Sequence, residues 1–229
     1  CPRLAARLPE GEDMTSLLQA LALKSRKAQA LLVAASPARR AKALRLMAQQ
    51  VRKSQRRILA ANAKDRAHAR VKGASAAFLD RLQLNGQRLE EAARAVEKFS
   101  RRKDLLGERL ASWTTSAGLR IRKVRVPLGV VLLVFEARPL VCLEAAMIAL
   151  KSGNALLLRP SRDARHSCRV LVACLRAALQ RAGLPKDCVS LAPAADKRQL
   201  RELLSLHGLI DAAIPRGGEA FIQWVRGQA

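Results

Sequence analysis

Tyrosine is absent from this chain, tryptophan occurs twice and phenylalanine four times, so aromatic residues make up only 3% of its 229 residues. A surface that stacks bases on interleaved aromatic rings is therefore not encoded. Acidic residues are the second scarcity. Eighteen Asp and Glu stand against 43 Lys and Arg, a formal net charge of +25 and a pI near 11.5. Such a charge attracts polyanions whatever the fold does, so nucleic acid enters as a rival partner. A membrane-spanning helix needs roughly 18 consecutive apolar residues, and Lys or Arg interrupts every hydrophobic stretch before that length. No membrane association is expected. Cys1, Cys142, Cys168, Cys174 and Cys188 are odd in number and show no CxxC spacing, which argues against a disulfide framework or a zinc ribbon and fits a reducing, cytoplasmic compartment. His68, His166 and His207 lack metal-ligand spacing, so no metal site is expected. No GxGxxG occurs either.

The chain opens on Cys1 rather than Met, and CPRLAARLPEGED lacks the continuous apolar core of a secretion signal. Residues 1–13 are read as a tail. Glu10, Glu12 and Asp13 count against an organelle transit peptide. Half of the residues are hydrophobic, enough to bury a core in one large domain. From Thr15 to Ala34 apolar residues recur every three or four positions, the signature of an amphipathic helix. Ser36 followed by Pro37 predicts a second helix, with Ser as N-cap and Pro at the first position; Leu44, Met47 and Val51 share its buried stripe. Ser54 is expected to cap a third helix that stops near Lys72 and Gly73. Shorter helices follow at 76–82 and 89–99. Between Ser36 and Lys72 twelve basic residues face one acid, Asp65. They are scattered around the helices, which favours a solvated face over a nucleic-acid track. Cys142, Cys168 and Cys174 fall among Leu, Ala and Val of later helices, where a buried hydrophobe is favoured over a reactive thiol.

Beyond Trp113 the periodicity changes. Leu119 to Val126 alternates apolar and basic residues, as an edge or hairpin strand would. Gly129 to Phe135 is continuously apolar, which suits a strand buried on both faces of a parallel sheet. Helix 139–151, strand 155–158, helix 163–182, strand 188–191, helix 196–206, strand 209–214 and helix 219–225 continue the alternation. The fold class is α/β: an open parallel Rossmann-like sheet with helices on both faces and right-handed crossovers, preceded by a helical N-terminal segment.

Three of the strands end in residues suited to a phosphorylated cofactor: VPLGVVLLVFEARP (126–139), LKSGNALLLRPS (150–161) and LIDAAIPRGG (209–218). Parallel sheets hold such ligands at their carboxyl ends, where helix N-termini offer free amides. The candidate residues are Phe135, Glu136, Arg138 and Pro139, then Arg159, Pro160, Ser161 and Arg162, then Arg216, Gly217 and Gly218. The two glycines would let backbone approach a pyrophosphate, with Arg216 adding charge; an ordinary strand-to-helix turn would also explain them. Arg162 and Arg165 would either meet a 2′-phosphate, favouring NADP, or be solvated arginines at a helix start.

Together these stretches resemble the aldehyde dehydrogenase superfamily and, within it, the glutamate-5-semialdehyde dehydrogenases, also called gamma-glutamyl phosphate reductases. The resemblance extends to ILAANAKDRAHARVKGASAAFLDRLQL, where Asn62, Asp65, Asp80, Arg81 and Leu82 match an ANxxD helix leading to a DRL turn. It implies an NAD(P)-binding domain over 14–229, helical over 14–110 and βα over 119–229, with NADP as cofactor and Arg159 beside the adenosine ribose. It implies NADPH-dependent reduction of L-glutamate 5-phosphate to L-glutamate 5-semialdehyde in proline biosynthesis, with glutamate 5-kinase as partner. An oligomer is compatible with it.

Two positions depart from the narrower family: Pro160 and Ser161 replace its usual Gly-Gly, and Leu140 its usual Asn. The family's thioester-forming Cys lies in a Cys-Asn motif well beyond the segment matching PRGG. Only eleven residues follow Gly218, so the resemblance implies that the catalytic domain is absent, that none of the five cysteines is the nucleophile, and that this chain binds cofactor without turning over substrate alone. The alternatives are another NAD(P)-dependent aldehyde dehydrogenase, favoured by Pro160 and Ser161, and a degenerate, non-catalytic polyanion-binding module, favoured by the charge.

Overall fold

The computed structural model describes residues 14–193 and 196–228; the expected tail at 1–13, with Cys1, lies outside the described residues. Five helices come first: α1 (Met14–Ala34), α2 (Pro37–Lys53), α3 (Gln55–Val71), α4 (Ala76–Leu82) and α5 (Gly86–Ser100). Ser36 starts α2 as its residue type requires, with extended backbone and an Oγ that accepts the Arg39 N–H at 3.3 Å. Leu44, Met47 and Val51 are fully buried beneath it. Ser54 corrects the expectation for α3. Its own N–H already bonds back to the Gln50 and Val51 carbonyls, its backbone is close to helical (φ −97°, ψ 8°), and its side chain caps nothing. Asn85 caps α5 through the Arg88 N–H, so that helix starts earlier than expected.

The segment 119–126 forms a hairpin strand, β2 (Arg120–Val124), paired antiparallel with β1 (Arg109–Thr114). β1 was not anticipated. All six of its residues are exposed, and a strand wet on both faces leaves no alternation in its sequence. The main sheet contains β3 (Val130–Phe135), β4 (Ala155–Pro160), β5 (Val189–Leu191) and β6 (Ala212–Arg216) in the order β5-β4-β3-β6, all parallel. Helices α6 (Val141–Lys151), α7 (Arg165–Arg181) and α8 (Lys197–Leu204) make the crossovers, and α9 (Glu219–Arg226) follows β6.

Successive side chains of a strand point to opposite faces, and β3 and β4 use both. Val131, Leu133, Phe135, Leu156 and Leu158 join the core beneath α2, α6 and α7. Val130, Leu132, Val134, Ala155 and Leu157 join Leu18 and Ala22 of α1, Leu200 and Leu203 of α8, and Val225 of α9. Every residue of β3 is buried, each contributing roughly 1.5–3 kcal/mol as a large apolar side chain removed from water. β6 begins three residues later than the expected 209. Asp211, just before it, accepts the Val130 N–H at 2.6 Å and pairs with Arg26 at 2.8 Å, fastening the strand's entry to β3 and α1. The strand then runs through Pro215 to Arg216, which a sheet edge permits. Among the described residues no helix is long and apolar enough to cross a membrane.

Candidate functional site

The three motif-bearing stretches end at one level of the sheet. Phe135, the last residue of β3, is in register with Pro160 of β4 on one side and Arg216 of β6 on the other. Beyond that level the Phe135 carbonyl accepts the Ser161 N–H at 2.9 Å, and the Arg138 N–H bonds the Glu136 carbonyl at 2.8 Å, turning the chain sharply toward α6. Phe135, Glu136, Arg138, Arg216, Gly217 and Gly218 line one cleft of about 310 Å³ together with Arg81 of α4. Pro139 lines an adjoining cleft of about 230 Å³, which Arg81, Arg138 and Arg216 also border and where Leu140 stands. Arg81 had been singled out only as part of the DRL turn. Its place in the clefts depends on how α4 docks, and no local pattern in the sequence reports that.

Arg159, Pro160, Ser161 and Arg162 line neither cleft. Arg159 lies opposite Val134 in the β3–β4 ladder. Burial, and then the nearby Arg162 charge, lower the proton affinity of its guanidinium, while Asp196 opposes them. Its Nε is buried without a hydrogen-bond partner, as is the Ser161 Oγ. Buried polar atoms in native structures nearly always find a partner, so a donor and a hydroxyl left open at a strand end fit a ligand bearing hydroxyl or phosphate oxygens. Arg162 begins the short 3-10 turn before α7, and Arg165 is exposed with its Nε donating to His166 Nε2 at 3.2 Å.

The glycines divide in their roles. A Cβ on Gly217 would come within 3.0 Å of Phe221 Cδ1 and 3.2 Å of the Glu136 carboxyl carbon, whereas one on Gly218 would meet nothing within 4 Å. Gly218 has an extended backbone (φ −65°, ψ 157°), and α9 has no side-chain cap. The space above Gly218 and the first amides of α9 are thus available to an anion. Arg216 adds a guanidinium 3.5 Å from Glu144.

The described cysteines offer no nucleophile beside these groups. Cys142, Cys168, Cys174 and Cys188 are all buried, as the sequence led us to expect for the first three, and none borders either cleft. Burial raises the thiol pKa of Cys174, pushes that of Cys188 up to about 12, and pushes that of Cys168 well above the usual range. A thiol so shifted holds almost no thiolate at neutral pH. Among the described residues no group of three or more His, Cys, Asp or Glu could hold a metal ion.

An open parallel sheet with cationic strand ends and a Gly-Gly turn onto a helix without a side-chain cap is an α/β arrangement suited to an anionic ligand, and the model of the aldehyde dehydrogenase family matches residues 12–225. The chain belongs to that family, one of oxidoreductases that use a nicotinamide cofactor. Within it, the chain is similar to proteins named gamma-glutamyl phosphate reductase. That of Anaeromyxobacter sp. (strain Fw109-5) is 43% identical over 219 residues, 96% of this chain and 51% of the relative. That of Anaeromyxobacter sp. (strain K) is 49% identical over 156 residues, 68% of this chain and 36% of the relative. The crystal structure of the Thermotoga maritima gamma-glutamyl phosphate reductase matches with a TM-score of 0.89 at 36% identity, over 93% of this chain and 51% of that one. The chain spans about half the length of the relatives it matches from end to end.

Proposed function

We propose that this chain is the cofactor-binding part of a gamma-glutamyl phosphate reductase, over residues 14–229, and that the enzyme reduces L-glutamate 5-phosphate to L-glutamate 5-semialdehyde with NADPH in the cytoplasm. The observation that carries the reading is the convergence of Phe135, Pro160 and Arg216 at one sheet level, with the open Arg159 Nε and Ser161 Oγ beside it. Arg159 and Ser161 would hold the adenosine ribose and Arg162 its 2′-phosphate, which makes NADP rather than NAD the cofactor. Arg216 and the first amides of α9, reached across Gly217 and Gly218, would hold the pyrophosphate. Phe135, Glu136, Arg138 and Pro139 would border the nicotinamide end. When bound, NADPH supplies the hydride. The thiol that receives the acyl group is none of the four described, because all four are buried and none borders either cleft. Glutamate 5-kinase, which makes the acyl phosphate, is the proposed partner. Pro160 and Ser161 favour a second reading, another NAD(P)-dependent aldehyde dehydrogenase; both readings need the same cradle.

Titration of the purified chain with NADPH and NADH, followed by nicotinamide fluorescence and repeated at high salt with a nucleic-acid competitor, tests this. Saturable binding that prefers NADPH and survives salt and competitor is the expected result. A signal that salt and nucleic acid abolish together would leave the chain a polyanion binder.

A further inference from the structure

Three guanidiniums meet at the larger cleft from separate parts of the chain: Arg81 at the end of α4, Arg138 in the turn after β3, and Arg216 at the end of β6. Only one carboxylate, Glu136, shares that lining, so three positive charges face one negative. The neighbouring acids are already engaged. Asp80 is held by Arg88 at 2.8 Å, and Glu144 stands 3.5 Å from Arg216. The guanidiniums of Arg81 and Arg138 have no hydrogen-bond or ion-pair partner among the described residues; Arg81 instead lies 6.0 Å over the Phe78 ring. Arg88, by contrast, is consumed by the Asp80 and Gln83 carbonyls as well as by the Asp80 carboxylate.

Arg81 also differs in origin. It belongs to the helical layer and not to a βα turn, so a dinucleotide cradle built from strand ends does not call for it. What does call for it is chemistry. In the proposed reaction the acyl carbon forms a bond to the sulfur of the accepting thiol, which gives up its proton, as the bond to the bridging oxygen breaks and phosphate departs with that bond's electron pair. With Glu144 counted against Arg216, Arg81 and Arg138 remain as two guanidiniums free of any ion-pair partner among the described residues, and planar guanidiniums bind phosphate oxygens two at a time.

Resting on the cofactor reading above, we infer that this cleft is the subsite for the phosphoryl group of the acyl phosphate substrate, with Arg81 its specific donor alongside Arg138. The Arg81 side chain makes no structural hydrogen bond, so Arg81→Gln should fold like the parent.

The test uses inorganic phosphate, the group released, and follows the broadening of its ³¹P resonance at constant ionic strength. Three proteins are compared: the parent, Arg81→Gln, and Arg56→Gln, which removes the same charge from an exposed site on α3. Saturable phosphate binding should weaken about tenfold in Arg81→Gln, stay unchanged in Arg56→Gln, and persist when NADPH occupies the protein. Equal binding in the parent and Arg81→Gln, equal loss in both variants, or complete displacement of phosphate by NADPH would each overturn the inference. Failure of NADPH to bind would overturn the cofactor reading instead, and is recorded separately from the phosphate result.

Discussion

Replacing Asp65 by Asn should loosen the turn that bears Arg159 and Ser161 without touching any residue of the clefts. Asp65 lies within α3, 1% exposed. One carboxylate oxygen accepts the His166 N–H at 3.1 Å, and the other accepts both the N–H and the Oγ–H of Ser167 at 2.7 Å. Those amides open α7, so the carboxylate also faces the positive end of a helix dipole. Asn keeps a single carbonyl oxygen. Left on Ser167, it turns an amide NH₂ toward the His166 N–H, donor against donor. One hydrogen bond to a charged group is lost, about 1.5–3 kcal/mol, together with a charge at a helix N-terminus, about 0.3–1 kcal/mol. The sum is about 3 kcal/mol, which in a chain of this size lowers the thermal midpoint by roughly 6–12 °C. Thermal unfolding followed by far-UV circular dichroism reads the loss, and NADPH titration well below the variant's midpoint reads the turn. Affinity should fall even though the variant is folded there. A midpoint shift under about 2 °C would refute the energetic reasoning; a full shift with unchanged NADPH affinity would show that the network holds the fold and not the site.

Gly218→Ala should leave the midpoint almost unchanged, because nothing lies within 4 Å of the new methyl and φ of −65° suits any residue, yet it should weaken NADPH binding several-fold; equal affinity would remove Gly218 from the site. Gly217→Ala presses on Phe221 and Glu136, so it should cost both affinity and about 1–3 kcal/mol of stability, and a stability equal to the parent's would show that Glu136 swings aside freely. The acid limb of the stability curve should carry the signature of Arg52, whose hydrogen bond, with that of Arg94, holds the Glu90 carboxyl down to about 2 and lowers that of Glu97. Carboxyls depressed by folding stabilise fully above their ordinary value of 4.5 and lose that contribution as pH falls toward 2, so Arg52→Gln should flatten stability between those limits. An unaltered acid limb in urea unfolding would contradict it; because these side chains are about a third exposed, added salt should shrink the difference.

β3 and β4 were legible because their residues are buried on both faces and leave unbroken apolar runs, and the motifs that end them are local turns. The same locality explains Ser36. β1 was illegible for the opposite reason, since six exposed residues carry no periodicity. The start of β6 was misjudged because Asp211 answers to Val130 and Arg26, distant partners that its neighbours in sequence do not announce. Arg81 follows the same logic. Asn62 donates to the Leu82 carbonyl and accepts the Leu84 N–H, both at 2.8 Å, and so docks the end of α4 against α3. That tertiary pairing, not any pattern around residue 81, brings a guanidinium beside Arg138.

The charge that shadows the functional reading can be separated from the site by the same structure. Asp65, the one acid between Ser36 and Lys72, is spent on the amides of α7 and neutralises none of the basic residues around it. Arg40 is buried on Asp104 and on the carbonyls of Leu32 and Ala35, and Arg52 is bound to Glu90 and Glu97. Arg39, Lys42, Arg45, Arg56 and Arg57 are exposed and have no carboxylate partner among the described residues. They sit on α2 and α3, whereas the clefts open at the carboxyl end of the sheet. Attraction to such a dispersed face acts through solvent and is cut off as the screening length falls from about 8 Å at physiological salt to about 3 Å at 1 M. The contacts proposed for the buried Arg159 Nε and Ser161 Oγ would act at hydrogen-bond distance and be screened far less. Salt therefore divides the two readings by distance: a ligand held at the strand ends keeps most of its affinity at 1 M salt, and one held by the helical face loses it.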